Sequence, residues 1–333
     1  MIRRLLKLVF KILGSIVVIL LLFILVVNII PPKKDIAENP FISTTGKPMI
    51  IAHRGGKESN PENTMKAYKA SVNEYEVDVL ETDLWLTKDN ELILMHDETI
   101  TRTSDVRLFH SEAQMAKPAV REFTLEELRN FNFGYNFEKN GAFPYRNLVA
   151  QDAPNRKQIL KDNDLSVVTF DEFLGEFYND HKDLLFIVEI KNSGEEGFRA
   201  AEIINEVLGR YPDYKNRLVV GTFHDEIEAH LKANYPEILR GASTSVATQF
   251  VITSLVGMNL FDKNKFACLQ IPLKAKGINL TNRSIIKRAH RRNIAVQYWT
   301  INNEEDMKKL IKLGVDGIMT DNPELLKQVL DNM

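Results

Sequence analysis

From Met49 onward, short runs of aliphatic and β-branched residues alternate with segments whose apolar positions recur at helical spacing. The pattern predicts strands over 49–52, 80–84, 184–190, 218–222, 239–242, 268–271, 295–300 and 317–320. Between them it predicts amphipathic helices, including 64–75, 200–208, 227–235, 283–292, 304–313 and 323–330. The strand runs are apolar on both faces, which calls for a parallel sheet covered by helices. Eight such units correspond in number and length to a (β/α)8 TIM-type barrel. A doubly wound open sheet is the alternative. It would want a Gly-rich phosphate loop after a strand, and the sequence contains neither GxGxxG nor a Walker A pattern.

The alternation breaks over 104–166, where one short helix (125–131) and an aromatic stretch from Phe131 to Phe137 stand among loop residues. So long a connection reads as an insertion, either a satellite cluster on the barrel rim or a lid.

The first thirty residues follow a different rule. Residues 12–30 form one apolar run interrupted only by Gly14, Ser15 and Asn28. About 20 apolar residues in a helix cross a hydrocarbon core of about 30 Å. A buried core helix would not explain Arg3, Arg4, Lys7 and Lys11 before the run. A cleaved signal peptide is the closer rival, but the run exceeds the usual apolar region of about 7–15 residues and no small-x-small site follows. The expected organisation is an anchor over 1–30, a linker over 31–47 that begins Pro31-Pro32-Lys33-Lys34, and a barrel over 48–333. The basic excess before the span puts the N-terminus in the cytoplasm. The chain is then a single-pass protein of the cell membrane with an extracytoplasmic barrel.

Composition narrows the function classes. The 333 residues carry 43 Lys and Arg against 45 Asp and Glu, a formal net charge of −2, which gives no basis for nucleic-acid binding. Without the four basic residues of the N-terminus the balance is 39 against 45, or −6. Cys268 is the only cysteine, so an internal disulfide and a thiolate zinc site are excluded, and it reads as a small core hydrophobe.

In a barrel the chemistry lies at the C-terminal ends of the strands. There the sequence places His53-Arg54-Gly55-Gly56, followed by Pro61-Glu62-Asn63-Thr64, in which Thr64 can cap the next helix. The second strand carries Glu81 and Asp83, which at i and i+2 share a face and repel unless a cation lies between them. A hairpin-like continuation returns His96-Asp97 to the same end. The third strand offers Glu189 as a further oxygen ligand and Lys191 as a point charge for an anion, with a ligand-free Glu189–Lys191 pair as the alternative. Trp299 is either a substrate wall or core. Hard oxygen ligands suit Ca²⁺, Mg²⁺ or Mn²⁺, Arg and Lys suit phosphate, and two histidines suit a general acid and a general base. The set fits metal-assisted phosphodiester cleavage better than glycoside hydrolysis.

These motifs, taken in order with Trp299-Thr300-x-Asn302 and Asp316-Gly317-Ile318-Met319-Thr320-Asp321-x-Pro323, resemble the glycerophosphodiester phosphodiesterase family from about Ile50 to Leu330. The resemblance implies Glu81, Asp83 and Glu189 as ligands of a divalent metal and His53 and His96 as the acid–base pair. It implies Arg54 and Lys191 as phosphate holders, and Glu62 as a residue that orders the site. The implied reaction is hydrolysis of a glycerophosphodiester to an alcohol and sn-glycerol 3-phosphate. A lysophospholipid or a poly(glycerol phosphate) is the alternative substrate for the same site. A non-catalytic barrel used as a binding module is the remaining reading.

Overall fold

The computed structural model describes residues 2–30, 32–34 and 36–333; Met1, Pro31 and Asp35, the last two within the expected linker, lie outside the described residues. Eight parallel strands close a barrel in chain order: Met49–Ala52, Val79–Leu86, Leu185–Ile190, Leu218–Gly221, Leu239–Arg240, Cys268–Ile271, Ala295–Tyr298 and Gly317–Thr320. The eighth strand pairs with the first, Ala52 lying opposite Thr320. The fifth and sixth meet through a single parallel bridge, Gly241 to Cys268, which closes the ring. The open-sheet alternative is thereby excluded.

Each strand is followed by a helix on the outside, and capping chemistry sets where several begin. Thr64 accepts a hydrogen bond from the Ala67 amide ahead of Met65–Asn73. Thr169 and Glu172 form a reciprocal capping box on Phe170–Phe177. Asn303 caps Glu304–Leu313, which ends on Gly314 in the left-handed conformation. Two covering helices, Phe170–Phe177 and Thr244–Val256, were not among the predicted ones. The second lacks clean amphipathic periodicity because apolar side chains occur on both its buried and its exposed face.

The period-2 geometry of strands sorts the core into layers. Leu80, Leu84, Phe186, Val188 and Ile190 face outward under the helices. Val79, Leu185, Ile187, Ile51, Val219 and Ala295 face inward and fill the N-terminal end of the barrel. Phe41, fully buried, belongs to this inner layer. Asn39 ties the same segment down by donating to the carbonyls of Ala267 and Asn293 at 2.8 and 2.9 Å. The second half of the expected linker therefore plugs the bottom of the barrel.

The second strand extends two residues beyond its predicted end, and Leu92–Leu94 pairs with it antiparallel, the hairpin the sequence suggested. Beyond it, the insertion contains Val106–Phe109, Leu125–Leu128 and Arg156–Asp162. Its aromatic residues Phe123, Phe131 and Phe133 gather with Ile93, Met95 and Val120 into a separate core on the rim. Of the two readings of the insertion, the satellite cluster is the one observed.

At the other end of the chain, Ile2–Ile29 is one continuous helix, long and apolar enough to cross a membrane and mostly uncovered by the barrel.

Candidate active site

Inward positions that are apolar at the bottom of the barrel become polar at the top. Val79 gives way to Glu81 and Asp83; Leu185 and Ile187 give way to Glu189 and Lys191; Ile51 is followed by His53, and Met319 by Asp321. Asp83 lies directly opposite Glu189 in the strand register. His53, Arg54, Glu81, Asp83, His96, Glu189, Lys191 and Trp299 all line one cavity of about 540 Å³. Glu62 does not line it and stands behind Arg54.

The backbone at the end of the first strand turns sharply. Arg54, Gly55 and Gly56 all have positive φ, at 53°, 77° and 78°. A Cβ on Gly55 would come within 2.9 Å of Ala67, so this turn lies directly on the following helix. The turn aims the Arg54 amide at Glu81 Oε2, 2.8 Å away. Its guanidinium lies between Glu62, at 3.1 Å, and Asp83, at 3.4 Å.

Glu81, Asp83 and Glu189 offer oxygens within 4.8 Å of one another. Burial and the neighbouring Asp83 push Glu81 up to about 7. Burial acts upward on Asp83 too, but Lys191 and Arg54 outweigh it and hold that carboxylate below its ordinary range. Burial also raises Glu189, against the opposing charge of Lys191. The Lys191 ammonium bridges Asp83 at 2.9 Å and Glu189 at 2.7 Å. Three hard donors crowded into a buried space, one of them short of a cation, fit a divalent ion such as Ca²⁺ or Mg²⁺.

Each histidine is held by its own carboxylate. His53 Nδ1 lies 2.5 Å from Asp321 Oδ1. His96 Nδ1 lies 2.7 Å from Asp97 Oδ1. Asp321 is in turn fixed by Asn302, which donates from Nδ2 at 2.7 Å, and by Lys57 at 3.3 Å. Arg102 ties the other half together. It donates to both oxygens of Glu62, at 2.6 and 2.8 Å, and to Asp97 at 2.6 Å. Burial lowers the His96 pKa. Asp97 is down at about 2: burial opposes that shift, and hydrogen bonds from Arg102 and His96 outweigh it.

Asp321, Asp97, Arg102 and Asn63 were not singled out as site residues by the sequence reading. Asn63 donates toward Asp83 at 3.4 Å and accepts from the Tyr68 hydroxyl at 2.7 Å. Asp97 and Asp321 did stand inside the quoted motifs, and their position beside a strand-end histidine and at a strand end was the available signal. Arg102 lies just ahead of the insertion, and only its folded position reveals its part. Trp299 both lines the cavity, where it meets Phe223 edge-on with 5.9 Å between ring centroids, and packs against the inner layer of the core. Cys268 is buried at the closing bridge and takes no part.

Known proteins resemble this chain over most of its length. The chain is 26% identical over 280 residues to a glycerophosphodiester phosphodiesterase of Caldanaerobacter subterraneus subsp. tengcongensis, covering 84% of this chain and 96% of that one. It is 23% identical over 303 residues to the lysophospholipase D GDPD1 of Rattus norvegicus, covering 85% and 86%. Its fold is similar to that of an Oleispira antarctica phosphodiesterase solved with the product sn-glycerol-3-phosphate. There the TM-score is 0.60 at 20% identity, over 86% of this chain and 98% of the other. The glycerophosphoryl diester phosphodiesterase family model matches residues 53–325. That match runs from the first histidine of the cavity into the helix after the last barrel strand, and the chain belongs to this family of enzymes that hydrolyse glycerophosphodiesters.

Proposed function

We propose that the protein is a membrane-anchored, metal-dependent phosphodiesterase that splits a glycerophosphodiester into an alcohol and sn-glycerol 3-phosphate. His53 and His96 act as its acid–base pair, and Glu81, Asp83 and Glu189 as its metal ligands. The observation that carries the reading is the one cavity lined by both histidines, all three carboxylates, Arg54 and Lys191. Glu81, Asp83 and Glu189 would hold a divalent ion, which would supply charge neutralisation for the phosphate. Arg54 and Lys191 add two fixed positive charges to the wall that the phosphate faces. Glu62, gripped by Arg102 and Arg54, orients the Arg54 guanidinium.

Because the Nδ1 atoms of both histidines are engaged by carboxylates, Nε2 of each is the proton-transfer atom. One Nε2 takes the proton of the attacking hydroxyl. The other gives a proton to the departing alcohol oxygen. The nucleophile is water or the glycerol hydroxyl next to the phosphate; the latter route passes through a cyclic phosphate that water then opens. Trp299 and Phe223 form an apolar wall for carbon atoms of the substrate.

The apolar span Arg3–Ile29 and the basic residues in its first turns support anchorage with the N-terminus in the cytoplasm. A lysophospholipase D reading is the second one. It is favoured by the apolar reach of the cavity beyond the charged end, along Val251, Ile271 and Leu280. A poly(glycerol phosphate) polymer would meet the same charged residues but has no use for that apolar wall.

The test is a substrate panel on the full chain in detergent, with and without chelator: glycerophosphocholine, glycerophosphoethanolamine, lysophosphatidylcholine and a glycerol phosphate oligomer. Release of sn-glycerol 3-phosphate from the first two, lost on chelation and restored by Ca²⁺, Mg²⁺ or Mn²⁺, is the expected result. Release of lysophosphatidic acid in preference to glycerol 3-phosphate would move the assignment to the second reading. Undiminished activity in chelator, with no bound metal by elemental analysis, overturns the metal site. Asp83→Asn removes one charge at nearly constant volume. Calorimetry should show weaker metal binding by this variant, independently of activity.

A further inference from the structure

We infer that the corner formed by the helix Thr244–Val256 and Phe261 lies in the headgroup region of the leaflet where the N-terminal helix ends, with the apolar wall of the cavity next to it at Ile252. The inference rests on reading that helix as an uncleaved anchor.

The helix Thr244–Val256 follows the fifth strand and has two apolar faces. Phe250 and Val251 face the core, whereas Ile252, Leu255 and Val256, at i, i+3 and i+4, form an outward stripe exposed by 43–56%. Phe261 continues the stripe at 52% exposure. Helices that are apolar all round belong in a protein core or in lipid. This one is half in a core, and the chain itself identifies what meets the other half. Phe261 stacks on Phe23 of the N-terminal helix, with 6.1 Å between ring centroids. The Asn28 side-chain amide donates to the Gly257 carbonyl at 3.2 Å. A Cβ on Gly257 would stand 3.2 Å from that amide nitrogen and 3.4 Å from Ile24, so the glycine keeps the contact close. Arg291 donates to the carbonyl of Ile30 at 2.8 Å.

These contacts fix a depth. Phe23 lies six residues before the end of the helix at Ile29, or about 9 Å along its axis. A ring stacked on Phe23 cannot stand clear of a bilayer that the helix spans, so Phe261 reaches the boundary between headgroups and acyl chains, and the stripe lies just above it. Arg288 and Arg291 line the recess between the N-terminal helix and this corner, and the exposed Lys263 and Lys265 follow Phe261 in the chain, cations available to lipid phosphates in spite of the net negative charge of the barrel as a whole. The same helix walls the cavity through Thr248 and Val251, and Ile252 belongs both to that wall and to the outward stripe. A lipid-type diester could thus offer its phosphate to the site while its chain stays in the leaflet.

The experiment uses the full chain in vesicles of phosphatidylcholine and phosphatidylglycerol. Cys268 is buried, so single labels can be placed through Val256→Cys and Phe261→Cys. Leu20→Cys serves as the control within the span, and Glu126→Cys as the control on the insertion across the barrel. Each carries an environment-sensitive fluorophore, read by quenching with aqueous iodide and with lipids spin-labelled on the acyl chain. Hydrolysis of glycerophosphocholine reports that each variant is folded, and Leu255→Cys replaces either position if that variant does not fold. The inference expects the labels at 256 and 261 to lose quenching by iodide and gain quenching by the lipids, as at 20 and unlike at 126. Labels at 256 and 261 as open to iodide as the one at 126 would overturn it. So would shielding from both quenchers, which would mean that protein, such as a second copy of this chain, covers the stripe. A label at 20 that lipids do not quench would remove the anchor and the inference together. Wild-type protein that binds lipid at this corner but cleaves no diester would count against the proposed reaction alone.

Discussion

His53 and Asp321 stand 268 positions apart in the chain and meet at 2.5 Å, Nδ1 to Oδ1. They meet because the barrel closes: Ala52 and Thr320 are register partners in the first and eighth strands, so the residues after them emerge side by side at the same end. The contact fixes the imidazole by one nitrogen and frees the other, the role a buried carboxylate plays beside a catalytic histidine.

Replacing Asp321 with Asn should keep the shape and lose the charge. The pKa of Asp321 is held below its ordinary value: burial opposes this, but His53, Asn302 and Lys57 outweigh it. Asp321→Asn should lower kcat by about 10²–10⁴-fold, the usual worth of one acid–base group. KM for glycerophosphocholine should change little. It should also alter the pH–rate profile, because a carboxylate charge 2.5 Å from the His53 ring is removed. An unaltered pH profile would show that Asp321 only supports the fold.

The two histidines should behave as one unit. His53→Ala and His96→Ala should each lower kcat by at least about a hundredfold with little change in Tm, and the double variant should be scarcely worse than the poorer single one. A nitrophenyl phosphodiester, whose leaving group needs no proton, should rescue the variant that lacks the general acid and not the one that lacks the base. Near wild-type kcat in both single variants would make these histidines structural.

Phe41 tests where the catalytic unit begins. It is fully buried at the bottom of the barrel with Ile51, Val79 and Leu185. Phe41→Ala should cost about 3–5 kcal/mol, as for other large-to-small changes in cores. Thermal denaturation should register a clear drop in Tm while kcat at the permissive temperature stays near wild type. A drop of less than about 1 kcal/mol would mean that the segment is a tether after all.

His290 supplies a pH-dependent contribution to stability. Its Nε2 lies 2.7 Å from Asp316 Oδ2. That hydrogen bond raises its pKa above the usual 6.5 in spite of partial burial. A group raised on folding stabilises fully below its unfolded pKa and loses that contribution as pH rises through its folded value. The Tm difference between wild type and His290→Ala should therefore be larger at pH 5.5 than at pH 9. Equal differences at the two pH values would remove the linkage. The pair is more than a third exposed on the histidine side, so solvent keeps the effect modest.

Much of this protein is legible before folding. Alternation of strand and helix patterns determined the barrel, because eight doubly apolar strands need helices on the outside. The two-residue period of a strand determined that Glu81 with Asp83, and Glu189 with Lys191, share faces, and that such acids at a strand end want a cation. Length and apolarity alone marked out the N-terminal span. Other relations depend on which strands become neighbours and where the insertion folds back. The partnership of His53 with Asp321 needed the ring to close. The grip of Arg102 on Glu62 and Asp97 needed the segment just ahead of the insertion to fold back onto the site. Phe41 looked like linker because one aromatic among polar residues has no periodicity, and only the open bottom of the barrel gave it a place. The helix Thr244–Val256 escaped the pattern for a related reason. Its apolar residues face two environments, and its contact with the N-terminal helix depends on distant parts of the chain meeting in three dimensions.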